Sequence, residues 1–70
     1  MKAVIKFKMT KYGETKYRQR TIDVEKTHPE DIFNEFKSIV RRYHHDCSIY
    51  VTTIKCGRYL YEYNTGFLVY

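Results

Sequence analysis

Hydrophobic residues recur in two different rhythms along this chain. From Lys2 to Tyr12 they alternate, with Ala3, Ile5, Phe7 and Met9 on one side and Lys2, Lys6, Lys8 and Thr10 on the other; Val4 is the one apolar residue on the polar side. A period of two predicts a half-buried strand. From Thr27 to His45 the apolar positions are Ile32, Phe33, Phe36, Ile39, Val40 and Tyr43, spaced by one, three and four. That spacing gathers them on one helical face and leaves Asn34, Glu35, Lys37, Ser38, Arg41 and Arg42 on the other. Such a one-sided helix needs a cover. Its start is marked by a capping box, in which Thr27 accepts from the Glu30 N–H while the Glu30 carboxylate reaches back, and Pro29 sits in the first turn where its missing N–H costs nothing. Its end is marked by Arg41, Arg42, His44 and His45, placed where the helix dipole is negative.

Lys16 to Glu25 reads as a second strand, joined to the first through Tyr12-Gly13-Glu14-Thr15. Glycine at the first central position suits a two-residue type II′ hairpin. Pairing Tyr12 with Thr15 sets Ile5 opposite Ile22 and Ala3 opposite Val24, so that both apolar pairs share a face. Arg18 and Arg20 then lie on the helix side opposite Met9 and Phe7, while Lys6, Lys8, Tyr17, Gln19 and Thr21 point outward. This register predicts a hairpin tip that projects beyond the helix and is basic on both faces.

After the helix, Asp46 breaks the pattern and Cys47 to Lys55 forms a third strand rich in β-branched residues. Gly57 marks a turn into a fourth strand, Arg58 to Thr65, with Tyr59, Tyr61 and Tyr63 on one face and Leu60 and Glu62 on the other. Two registers are open here. A two-residue loop turns the tyrosines away from Ile49 and Val51; a three-residue loop with a bulge brings at least part of the row to the core side. The second is preferred, because Leu60 and Glu62 make a poor core face. Phe67 to Tyr70 either continues the strand past a bulge or forms a short fifth strand, and its apolar character calls for cover by the core or by a partner. The expected fold is a single α+β domain over residues 1–70, a two-layer sandwich in which a β-β-α-β-β antiparallel sheet carries one helix on one face.

Seventy residues limit what else the chain can hold. A domain this small buries only about 60% of the surface its unfolded chain exposes, which leaves little room for a pocket beside the core. No run approaches the roughly 18 apolar residues of a membrane span, and MKAVIKFKM alternates where a signal peptide would be continuously apolar. A cytoplasmic protein is expected. Cys47 and Cys56 stand at opposite ends of one predicted strand, roughly 30 Å apart at about 3.3 Å per residue, and read as reduced thiols.

Three candidate chemistries follow. His44-His45-Asp46-Cys47 has metal-ligand residue types, but zinc sites draw on two spaced ligand pairs and the chain offers one cluster. A Cys47 nucleophile would need an oriented base, an oxyanion site and a cleft. Neither metal, cofactor nor catalysis is therefore expected. The eight tyrosines beside Lys and Arg are a second candidate, since aromatics on a sheet can stack bases; the RNA-binding sheet motifs are absent, and most tyrosines read as half-buried sheet residues.

Charge supplies the third candidate. The net charge is +5, yet residues 1–20 hold Lys2, Lys6, Lys8, Lys11, Lys16, Arg18 and Arg20 against Glu14 alone, so the remainder is close to neutral. Such asymmetry marks an electrostatic footprint for phosphates or an acidic protein surface. The candidate binding residues are Lys6, Lys8, Lys11, Lys16, Tyr17, Arg18 and Arg20, with Tyr12 adding contact area. The competing explanation is an edge hairpin whose lysines discourage aggregation.

In its opening strand MKAVIKFKM, its capped helix THPEDIFNEFKSIVRRYHH and its tyrosine-rich GRYLYEYN, the chain resembles small phage-encoded early proteins, including inhibitors of bacterial defence systems. The likeness spans the whole chain and rests on architecture, not on a motif. It implies a stoichiometric binder that blocks a host enzyme or nucleoprotein complex by occupying a surface, often one that normally handles nucleic acid. The functional expectation is thus a small non-enzymatic binding module. Its basic hairpin docks on nucleic acid or on a protein complex that handles it, and inhibits or regulates that machinery. The alternative is a homodimer assembling through a sheet edge or the Phe67 to Tyr70 tail.

Overall fold

The computed structural model describes residues 1–70. Their order is β1 (Lys2–Lys11), β2 (Glu14–Asp23), α1 (Pro29–Tyr43), β3 (Cys47–Cys56) and β4 (Tyr59–Val69). All four strands join one antiparallel sheet in the order β2-β1-β3-β4, and α1 packs on one of its faces. The architecture is the expected α+β two-layer sandwich. Phe67 to Val69 extends β4; there is no fifth strand. The one helix is not long and apolar enough to cross a membrane.

The core follows from the two rhythms. Ala3, Ile5, Phe7 and Met9 of β1 are buried against Ile32, Phe33, Phe36 and Val40 of α1, with the Phe7 and Phe36 ring centroids 4.9 Å apart. All 16 buried residues are hydrophobic. Ile39 packs half-buried at the rim, but Tyr43 is exposed rather than part of the buried face, with the Arg20 guanidinium 5.5 Å from its ring centroid. By its last turn α1 has run past the apolar rows and meets a charged residue instead.

The helix begins one residue later than the capping box implied. His28 is the N-cap, its Nδ1 accepting from the Glu30 N–H at 3.3 Å, and Thr27 lies outside. Pro29 explains the difference. A residue before proline is driven to extended backbone, so His28 (φ −70°, ψ 131°) must be the boundary and proline takes the first helical position.

The first hairpin is shifted by two residues from the expected register. Lys11 pairs with Glu14, which sets Ala3 opposite Ile22, Ile5 opposite Arg20, Phe7 opposite Arg18 and Met9 opposite Lys16. The central turn residues are Tyr12 and Gly13, both at positive φ (53° and 78°), as a type I′ turn requires. Glycine occupies the second central position, not the first. Tyr12 is a poor occupant of left-handed backbone, so Tyr12→Asn is expected to stabilise the protein by on the order of 1 kcal/mol, read as a raised urea midpoint with unchanged m-value.

β1 is also not half of a free ribbon. It pairs with β3 from Ala3↔Cys56 to Thr10↔Ser48, so only the turn extends beyond the sheet. In the second hairpin a two-residue loop, Gly57 (φ 60°) and Arg58, joins Cys56 to Tyr59. The tyrosines nevertheless fall on the helix side. β3 carries an extra residue relative to β1 near Thr52, so its inward positions change from Cys47, Ile49 and Val51 to Ile54 and Cys56, and Tyr61 and Tyr59 pair with these last two. A matching irregularity in β4 places Asn64 at φ 46°.

Candidate functional site

One face of the sheet is covered by α1 and the other is open. Paired residues in an antiparallel sheet share a face, so the two registers of β1 define rows across the open side. The central row is Tyr17, Lys8, Tyr50 and Gly66, running from β2 to β4. Gln19, Lys6, Thr53 and Glu62 form the next, followed by Thr21, Val4, Lys55 and Leu60. The Lys8 ammonium lies 4.8 Å from the Tyr50 ring centroid. Tyr17 is 81% exposed and Tyr50 39%. Gly66 leaves the flank of Tyr50 clear: a Cβ there would stand 3.2 Å from the Ile49 carbonyl oxygen and 3.4 Å from the Tyr50 ring. Shallow clefts of about 360 and 300 Å³ lie along Lys6, one toward Tyr17 and one toward Lys55.

The expected binding residues therefore divide between two faces. Lys6, Lys8 and Tyr17 belong to the open side. Lys11, Lys16, Arg18 and Arg20 lie on the helix side, in line with Met9, Phe7 and Ile5. Tyr12 is exposed at the turn, its ring 5.5 Å from the Lys11 ammonium. The charges are not neutralised within the protein. Its one ion pair joins Lys2 to Asp23 at 3.0 Å, and no carboxylate oxygen comes within 4.0 Å of any of the six cations.

Two contributors were not singled out from the sequence, Tyr50 and Lys55 on the open face; His44, weighed there only as a metal-ligand type, joins the cations of the helix side. The alternation Cys47, Ile49, Val51 does turn Tyr50 outward, but its partnership with Lys8 depends on β1 pairing with β3. His44 caps the C-terminal end of α1, its N–H donating to the Val40 carbonyl at 2.9 Å. Burial first, and then the positive charges of Arg18, Lys11, Arg20 and His45, hold its imidazole below the ordinary value of 6.5.

An imidazole lowered in this way binds its proton less readily in the folded than in the unfolded chain. As pH falls through 6.5 the unfolded state is protonated first and stability drops; above that value both forms are neutral and the effect vanishes. The His44→Gln variant is expected to lose less stability than the parent between about pH 7 and 5, measured as the difference in urea midpoints.

Burial, with Asp46 nearby, pushes the Cys47 thiol up despite the opposing charge of Lys11. That is the opposite of the shift an activated nucleophile needs. No group of three His, Cys, Asp or Glu side chains is gathered at ligand distance of one point. No family model, curated protein or solved structure matches the chain.

Proposed function

We propose that the protein is a small non-enzymatic binding module whose open sheet face holds single-stranded nucleic acid, thereby inhibiting or regulating the machinery that handles that strand. The observation that carries this reading is the row Tyr17, Lys8, Tyr50, in which two outward aromatic rings flank an unpaired ammonium. Neighbouring strands lie about 4.8 Å apart, so the two tyrosines stand roughly 10 Å from one another with a cation between them. Bases stack on such platforms whatever their identity, while Lys8, Lys6 and Lys55 meet the phosphates. A duplex fits less well. A two-stranded ribbon can enter a major groove, but here β1 is flanked by β3 and the sheet is four strands wide.

Fluorescence anisotropy with a labelled oligothymidine and with a duplex of the same length, at about 50 to 200 mM salt, tests the reading. Preference for the single strand is expected, with a log–log salt slope of about −2 for three neutralised phosphates at roughly −0.7 each. No saturable binding, or equal binding of the duplex, would refute it.

A homodimer is the competing reading, and the edges of the sheet favour it specifically on one side. The β2 edge carries Lys16, Arg18 and Arg20, which oppose strand addition, whereas β4 has no Lys or Arg and leaves Leu60 and Leu68 exposed. Sedimentation at micromolar concentration separates the two, since a monomer there removes support for assembly.

A further inference from the structure

We propose that the cleft between the first hairpin's tip and the C-terminal end of α1 is a second binding site, on the opposite side of the sheet from the open face, for a phosphate group held by Lys11, Lys16 and Arg18 beside His44. The proposal does not depend on the open face binding a strand. Three segments build the cleft: the end of β1 gives Lys11, the start of β2 gives Lys16 and Arg18, and the helix cap gives His44. Its volume is about 260 Å³, enough for a phosphate and part of the group that bears it.

The sequence places these cations together for a simple reason. Lys16 and Arg18 are alternate residues of a strand, and the register that pairs them with Met9 and Phe7 aims both toward the helix layer; Lys11 continues the same side of β1. At these positions the neighbours below are buried and apolar, yet the side chains above are charged and have no carboxylate partner within 4.0 Å. Glu14 borders the cleft as its one acid, and it is not in ion-pair contact with any of the three. An uncompensated cluster repels itself, and that repulsion is relieved by an anion. Arginine offers a planar fork that matches two phosphate oxygens, lysine adds point charges, and a phosphomonoester brings close to two negative charges.

His44 makes the site readable. Its surroundings are Lys11 from β1, Glu14, Lys16, Arg18 and Arg20 from β2, Arg41, Arg42 and Tyr43 from the last turn of α1, and His45 and Asp46 after it. Burial and then these cations hold the imidazole below its ordinary value. A bound phosphate offsets much of that positive field, so it raises the His44 titration midpoint and favours the imidazolium as a further donor to a phosphate oxygen.

The test follows the His44 ring signal by NMR, assigned with the His44→Gln variant, as inorganic phosphate is added to the intact protein. A saturable shift of His44 with a raised midpoint is expected, while His28, at the far end of the helix, stays in place. Lys11→Gln with Arg18→Gln is expected to weaken the response at least about tenfold, as loss of two charge-assisted contacts would. Lys16→Gln, at an exposed position of the strand, gives a milder loss. Two oligonucleotides of one sequence, with 5′-phosphate or 5′-hydroxyl ends, then distinguish the sources. A 5′-phosphate preference assigns the site to a strand terminus. A response to inorganic phosphate with no such preference assigns it to a free phosphate or small phosphomonoester. A non-saturating drift that moves His28 and His44 alike, or an affinity unchanged in both the double and the Lys16 variants, overturns the site. Tyr50→Ala should leave the phosphate response intact, so failure of the open-face reading is recognised separately.

Discussion

Phe36→Ala is expected to abolish cooperative folding at room temperature. Phe36 is the largest of the fully buried side chains, at 0% exposure, and its ring joins the helix to two strands of the sheet: its centroid lies 4.9 Å from that of Phe7 in β1 and 6.3 Å from that of Phe67 in β4. Removing a buried phenyl ring costs about 3–5 kcal/mol, the sum of lost transfer energy and the cavity left behind. A domain of this size has about 3–5 kcal/mol of stability to lose, because surface-to-volume scaling limits its core. The two quantities are of the same size. Far-UV circular dichroism with urea should show a sigmoidal transition for the parent and a shallow, midpoint-free decline for the variant. A cooperative transition displaced by less than about 1 kcal/mol would mean that Phe36 is not the hub of the core. Tyr43→Ala is the informative companion: it removes a helical aromatic of similar size, but one that is 67% exposed, and should change stability by under about 0.5 kcal/mol.

The contrast between Phe36 and Tyr43 also shows how far a periodic pattern can be read. Helical spacing assigns both residues to one face, and it does so correctly as geometry. What it does not contain is the length of the apolar surface underneath, and that surface gives way to Arg20 before the helix ends. The same limit applies to the first hairpin. Slipping the register by two residues returns every side chain to its original face, so the alternation of Ala3, Ile5, Phe7 and Met9 is equally satisfied by either turn around Gly13. They differ in whether positive φ falls on Gly13 alone or on both Tyr12 and Gly13, and the chain adopts the second. The N-cap, by contrast, was legible in principle, since proline restricts the residue before it and His28 can accept a hydrogen bond as Thr27 can.

The candidate site was legible one residue at a time and not as a constellation. The outward direction of Lys6, Lys8 and Tyr17 follows from alternation, and the inward direction of Arg18 and Arg20 follows from the same rule. The order of the strands is a long-range property. Inserting β1 between β2 and β3 turned one strand of a presumed free basic ribbon into the middle of a sheet. The same insertion brought Tyr50 beside Lys8. The bulge at Thr52 had a comparable effect, because a single extra residue carried Tyr59 and Tyr61 to the helix side. Bulges depend on cross-strand geometry, so a two-residue loop alone gives the wrong face for the row.

Replacing Tyr17 and Tyr50 together by alanine is expected to remove most of the affinity for single-stranded nucleic acid. Stacking of a base on an aromatic side chain contributes about 1–3 kcal/mol by alanine substitution, so each single variant should bind about 5- to 150-fold more weakly. The salt slope should stay the same in both, since no phosphate contact has been removed. Lys8→Gln should act in the complementary way, making the slope shallower by about 0.7 while its effect on affinity depends on salt. Tyr50 is coupled to Lys8 by the 4.8 Å cation–π contact, so the losses from Tyr50→Ala and Lys8→Gln should not add, whereas those from Tyr17→Ala and Tyr50→Ala, one full strand apart, should add more nearly. Tyr59→Ala provides the control that separates a site from general aromatic stickiness. Tyr59 is 52% exposed, more than Tyr50, but it belongs to the helix side. If anisotropy titrations show Tyr59→Ala weakening binding as much as Tyr50→Ala, the strand is not held by the open face. If only the outward pair matters, the order of strands in the sheet has determined which tyrosines touch the bases.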